Sequence, residues 1–190
     1  MPVTESGPRS VADLCRLQTQ GHRMEFLFFC GHGRPASGDV GKGCLSQWYE
    51  GHGFTVDGMT YRTAEHWMMA HKARLFGDEQ TFARIVESEH PRQAKELGRG
   101  IDSFDETTWV NHRFGIVTAG NLAKFGQHPE LRDYLLGTGS RILVEASPVD
   151  RVWGIGLAAD DDRAVQPHRW RGLNLLGFAL MEARALLAEP

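Results

Sequence analysis

Residues 53–73 read GFTVDGMTYRTAEHWMMAHKA. Asp57-Gly58 can supply the two positive φ values of a tight turn, and the β-formers on either side predict a hairpin. Thr63 then reads as the N-cap of a helix, its hydroxyl accepting from an amide of the first turn. That helix carries Trp67, Met68, Met69 and alanines, the composition of a buried element. Yet Glu65 stands in its first turn and Lys72 seven positions later. Seven residues make two helical turns, so the acid and the amine share a face with the two methionines.

Upstream of the hairpin, residues 1–9 read as a loose tail and SVADLCRLQTQG as a short helix capped by Ser10 and stopped at Gly21. MEFLFF (24–29) predicts a buried strand, and the glycine-rich stretch from Cys30 to Cys44 predicts a long loop. Downstream the patterning is helical. DEQTFARIVES puts Phe82, Ile85 and Val86 on one face, and PRQAKELGRG opens on a first-turn proline and closes on Gly98 and Gly100. DETTWVNHRFGIVTAGNLAKFG is a longer helix with Gly115 and Gly120 as potential breaks. PELRDYLLGTG gives a short helix, RILVEAS a second strand, and GLNLLGFALMEARALLAEP a C-terminal amphipathic helix. The expected fold class is α+β: a helix-rich single domain with a small sheet or hairpin. Residues 1–23 are expected as a tail and short helix, and 24–190 as the domain.

The 190 residues, 41% hydrophobic and 24% charged, suffice for a core without staples. A net charge of −3 argues against a broad basic nucleic-acid surface. Cys15, Cys30 and Cys44 form no CxxC pair and are odd in number, which fits free thiols in a reducing compartment. With no apolar leader at the start and no apolar run near the ~20 residues of a membrane span, a cytoplasmic protein is expected.

Familiar site patterns fail here. Gly41-Lys42 is followed by Gly43 where a phosphate loop needs Ser or Thr, and Ala36 stands where its first glycine belongs. His66 and His71 are five apart, on different faces of a helix, and Cys30 and His32 lack further ligands, so no metal site is expected. No local spacing marks a Ser-His-Asp or Cys-His nucleophile.

Four segments remain: CLSQWYEGHGFTVDGMTYRTAEHWMMAHKARLF, AKELGRG, LAKFGQHPELRDYLLGTG, and LVEASPVDRVWGIG with GLNLLGFALMEAR. In this order, across about residues 26–186, they resemble the NADAR family, the YbiA-like N-glycosidases. The family pattern carries DG-x-x-Y-x-x-x-EH, a lysine soon after, a K-x-x-GR segment, LvE-x-s-x-x-D-x-x-WG and a closing G-x-N-x-LG. Two departures stand out: Gln47 replaces the asparagine of an LSNFY-type segment, and the 30–44 loop is longer. The resemblance implies hydrolysis of an N-glycosidic bond between a ribose and a nitrogen base, without metal or cofactor. The implied substrate is a phosphoribosylated pyrimidine intermediate of riboflavin synthesis, or ADP-ribose attached to guanine, including a guanine of nucleic acid. It also carries catalytic positions over to Glu65, Lys72, Trp109 and Asp150.

The chemistry suits these residues. Breaking a ribose–nitrogen bond builds positive charge on the sugar, which a nearby carboxylate stabilises more in the transition state than in the ground state. Near a helix N-terminus, Glu65 is favoured in its charged form by ~0.3–1 kcal/mol, which fits a general base or cation stabiliser. Lys72 has two readings, a point charge for phosphate or a neutral amine attacking the sugar, and the second is preferred. Asp150 follows a strand end, where a second carboxylate would divide the work. Arg99 is a candidate phosphate fork, and Gly154 and Gly156 offer bare backbone to an anion. Trp48, Trp109 and Trp153 are candidate stacking platforms, and Asn174 is a helix N-cap or ligand contact. Each residue also has an ordinary reading: first-turn acid, snorkelling lysine, core tryptophan, turn aspartate. A different function class, a module that binds NAD or ADP-ribose without turnover, keeps the pocket but does not need Glu65.

Overall fold

The structure, a computed structural model, describes residues 7–33 and 35–189. The first six residues of the expected tail lie outside the described residues. In chain order the first elements are α1 (Val11–Thr19), β1 (Phe26–Phe29), β2 (Phe54–Val56), β3 (Met59–Tyr61) and α2 (Ala64–Leu75). There follow α3 (Glu79–Glu87), α4 (Pro91–Arg99), α5 (Glu106–Gln127), α6 (Pro129–Gly137), β4 (Ile142–Glu145) and α7 (Leu175–Ala188). The loop expected to run through residue 44 instead winds into a short 3-10 turn at Lys42–Leu45. Among the described residues, no helix is long and apolar enough to cross a membrane. The chain forms two compact units, residues 31–133 and the segments on either side of them.

In the 31–133 unit the hairpin forms as expected, with Asp57 at φ 51° and Gly58 at φ 77° turning β2 back onto β3. The Gln127 side chain reaches the edge of β2, accepting from the Thr55 amide at 2.9 Å and donating to its carbonyl at 2.8 Å. Thr63 caps α2, its hydroxyl accepting from the His66 amide. Eight of the twelve residues of α2 are buried, because α3, α4 and α5 all pack against it. A helix surrounded in this way is buried on more than one stripe.

Gly98, expected with Gly100 to end its helix, and Gly120, expected with Gly115 to interrupt one, instead let helices approach. A Cβ at Gly98 would stand 2.2 Å from the Met69 Sδ, so α4 runs on through it to Arg99. A Cβ at Gly120 would stand 2.3 Å from the Trp67 ring, and α5 continues unbroken for 22 residues. Trp67 completes this contact by donating Nε1–H to the Ile116 carbonyl at 2.7 Å.

In the other unit β1 and β4 pair in parallel, Phe26 opposite Ile142 and Phe29 opposite Glu145. Helix α7 packs on β4. Asn174 stands at the N-cap position of α7 in the left-handed region, with no cap hydrogen bond from its side chain. Its amide instead stitches β4, accepting from the Glu145 amide and donating to the Leu143 carbonyl, both at 3.0 Å. The α+β class with small sheets is as expected.

Candidate active site

Glu65 is the second residue of α2 and only 3% exposed. Its amide, one of the donors that a helix start leaves unpaired, donates to the Gln47 carbonyl at 2.9 Å. Burial and the helix N-terminus act on the carboxylate's charge in opposite directions. Gln47 is itself buried, and its Oε1 accepts from Asn121 Nδ2 at 3.0 Å.

Two turns along, Lys72 donates Nζ–H to the Gly98 carbonyl at 2.8 Å. The same Nζ lies 4.3 Å from the Phe104 ring centre and 5.6 Å from that of Trp109. Burial pulls the Lys72 pKa below the ordinary lysine range, and the charge of Glu106 opposes the shift. The structure therefore places Lys72 beside Trp109 and adds Phe104, which no motif marks. Trp109 is 8% exposed and packed, whereas Phe104 is 42% exposed over the amine.

Trp48 is half-buried, with Lys95 Nζ 5.6 Å from its ring centre and the His90 ring 6.2 Å away edge-on. Arg99 closes α4 and is exposed, next to the carbonyl that holds Lys72.

The remaining expected residues belong to the other unit. Asp150 accepts from the amides of Val152 and Trp153 on a single oxygen, Oδ1, both at 2.8 Å. This is the turn-holding reading of an aspartate after a strand, and it leaves Oδ2 for any second task. Trp153 is half-buried. Gly154 packs against its own chain, where a Cβ would stand 2.8 Å from the Glu145 carbonyl, and Gly156 sits at φ 67°. Asn174 is fully buried with both ends of its amide bonded to β4. Asp150→Asn keeps an acceptor for both amides, whereas Asp150→Ala removes it. A role confined to the turn predicts that Asn retains wild-type activity and melting temperature while Ala loses about 1–2 kcal/mol of stability. A role for the charge predicts that Asn loses activity without loss of stability. Steady-state kinetics beside thermal melts separate the two.

A cavity of about 760 Å³ lies elsewhere, between α3 and α4, and contains none of the expected site residues. Arg84 apart, its charged walls are Glu87, Glu89 and Glu96, a poor match for a phosphorylated sugar. Its size does not outweigh that chemistry.

The histidines beside Glu65 and Lys72 are held neutral. His66 is fully buried, its Nδ1 accepting from the Thr63 hydroxyl at 2.8 Å and its Nε2 donating to the Ser88 carbonyl at 3.1 Å. Burial pushes its pKa down to about 4, and that of His71, whose ring lies tilted 3.7 Å from that of Trp67, also to about 4. The unfolded chain therefore binds these protons first as pH falls below the ordinary 6.5. Stability is full above that pH and declines between 6.5 and 4, by up to about 3 kcal/mol from His66. Thermal melts from pH 7 to 4.5 should show the decline, and His66→Gln should flatten it.

Asn121 and Lys124 are functional candidates that the site residues expected from sequence did not include, although Lys124 stands in the matched LAKFGQHPELRDYLLGTG segment. Both are fully buried on α5, with Thr118 one turn before them. The sequence does contain a signal, polar residues at i, i+3 and i+6 on a helix whose neighbours Val117 and Phe125 are core.

A family model described as the NADAR domain matches residues 28–188. The chain belongs to the NADAR domain family. Among NADAR relatives, the mimivirus (Acanthamoeba polyphaga mimivirus) protein "N-glycosidase R617" is 48% identical over 124 residues, 65% of this chain and 73% of that protein. "N-glycosidase YbiA" of Escherichia coli is 35% identical over 133 residues, 70% of this chain and 74% of that protein. "Riboflavin biosynthesis protein PYRR, chloroplastic" of Zea mays is 32% identical over 138 residues, 68% of this chain and 20% of that protein. The solution structure of E. coli YbiA superposes with a TM-score of 0.66 at 28% identity, covering 99% of this chain and 94% of that one. The NADAR resemblance drawn from the motifs is thus correct. This member is an enzyme of the N-glycosidase class, and the reading as a binding module without turnover is set aside.

Proposed function

We propose that the chain hydrolyses the bond between a ribose C1′ and the ring or exocyclic nitrogen of a base, with Glu65 and Lys72 as its chemical groups. The observation that carries this reading is the Lys72 amine, half-desolvated between the Gly98 carbonyl and two aromatic faces, on the helix that buries Glu65. The two Cα atoms stand about 10 Å apart along the helix, a gap that both side chains can bridge around one sugar.

In this reading a neutral Lys72 attacks C1′, and the base leaves with the electron pair of the broken bond and takes up a proton. The amine loses a proton as the C1′–O4′ bond breaks, O4′ taking the electron pair and a proton, and the resulting iminium is hydrolysed by water to free sugar and amine. Glu65 stabilises the positive charge on the sugar and accepts the proton of the attacking water. Trp109 packs beside the amine and keeps water from it. Asp150 acts through its remaining oxygen or through the turn it holds. Trp48 is a stacking surface for the base and Arg99 a phosphate ligand, and in the other unit Trp153, Gly154, Gly156 and Asn174 are the motif positions that contact substrate in this reading.

Two substrates fit. One is a phosphoribosylated pyrimidine of the riboflavin route, in keeping with the name of the maize relative. The other is ADP-ribose on guanine, free or in nucleic acid, whose adenosine needs a second aromatic surface such as Trp48. Residues 24–190 form the catalytic domain in this reading. Cys15, Cys30 and Cys44 are all free, in keeping with a cytoplasmic setting. Incubating the protein with each substrate and weighing the released sugar by mass spectrometry tests the proposal. Turnover of one identifies the substrate class, and turnover of neither overturns the reading.

A further inference from the structure

The fully buried Lys124 serves neither as a surface charge nor as an ion-pair partner in the site described. Its Nζ donates to the carbonyls of Cys44, at 2.6 Å, and Ser46, at 3.0 Å. One turn earlier on α5, Asn121 Nδ2 donates both to the Val117 carbonyl at 2.9 Å and to Gln47 Oε1. The two side chains thus grip consecutive points of one short segment, residues 44–47. That segment ends on the carbonyl that receives the Glu65 amide.

The grip is not the arrangement that stability alone would favour. Gln47 Nε2, Asn121 Oδ1 and Thr118 Oγ1 are buried without a protein hydrogen-bond partner among the described residues. Buried polar groups left in this state cost stability, and apolar replacements of similar shape are often neutral or better. Burying a lysine without a carboxylate is costlier still. Asn121 and Lys124, kept at such a cost on one helix stripe and both bonded to the segment that receives the Glu65 amide, mark a functional constraint.

We propose that Asn121 and Lys124 are positioning residues that fix Glu65 through the Cys44–Gln47 segment. Gln47, longer than the asparagine of the family pattern, is the side chain through which Asn121 makes its half of the grip. The proposal rests on the reading of Glu65 as catalytic, but its structural half can be measured without turnover.

The test uses two variants of the full chain, Lys124→Met and the double substitution Gln47→Met with Asn121→Leu. Each is followed by hydrogen exchange of the Glu65 amide, by thermal melting, and by kcat and KM. In the double variant the melting temperature should hold or rise, since unpaired buried groups are removed. The Glu65 amide should nevertheless exchange faster while those of Ala70 and Ala73 do not, and kcat should fall by up to about 10²-fold with KM little changed. Lys124→Met, which takes the donor from the Cys44 and Ser46 carbonyls and so lowers the melting temperature, should show the same faster exchange of the Glu65 amide and the same fall in kcat. Unchanged exchange of the Glu65 amide in the double variant overturns the proposal, as does a loss of activity there that only follows a loss of melting temperature. If the wild type turns over neither substrate, the hydrolase reading fails and the exchange measurement still decides whether the stripe holds Glu65.

Discussion

Glu65→Gln should lower kcat by about 10²–10⁴-fold while leaving KM and the melting temperature close to wild type. The substitution keeps the size of the side chain and the amide bond to the Gln47 carbonyl, so the start of α2 is undisturbed. It removes the negative charge. That charge matters where positive charge develops on the sugar, which occurs on the way to the transition state and not in the bound substrate, so the loss appears in kcat. On the stability side, losing the interaction with the helix N-terminus costs about 0.3–1 kcal/mol. Steady-state rates beside a thermal melt check both halves. Wild-type kcat would return Glu65 to the role of a first-turn acid.

Lys72 supports a sharper comparison, because its two candidate roles predict opposite results for arginine. A lysine that binds phosphate as a point charge is replaceable by arginine, with changes confined to KM. A lysine that attacks the sugar is not, because a guanidinium stays protonated and has no free pair to offer. The amine's contacts favour the second role: burial lowers its pKa, raising the fraction of free amine at neutral pH. Lys72→Arg and Lys72→Met are both expected to lose at least about 10³-fold in kcat. The rate should rise with pH toward a midpoint below the ordinary lysine value of 10.5 as the amine loses its proton. Borohydride added during turnover should leave the opened sugar attached to the peptide that contains Lys72. Activity of Lys72→Arg near wild type, or turnover without that adduct, returns Lys72 to phosphate binding.

The legible parts of the molecule were those set by local chemistry. Asp57-Gly58 specifies its own turn, Ser10 and Thr63 cap the helices they precede, and the motif order led directly to the NADAR family. What the sequence hid depends on partners distant along the chain. Gly120 reads as a helix breaker until the Trp67 ring, far away in sequence, is seen to occupy its missing side chain's space. Asn174 reads as a cap because asparagine often is one, while the structure spends its amide on strand β4. Lys124 stands in a matched segment, but what it holds shows only when the carbonyls of Cys44 and Ser46 are found at its end. Phe104 carries no motif, and only its distance to Lys72 gives it a role. In each case propensity is a property of a few neighbouring residues, and tertiary packing decides otherwise.

The most direct measurement of whether α2 carries the chemistry is the quantity of free base and free sugar released by wild type, Glu65→Gln and Lys72→Met, assayed together on each N-riboside. Equal amounts of base and sugar from the wild type, and little of either from both variants, are the predicted result. Full release by either variant would contradict it.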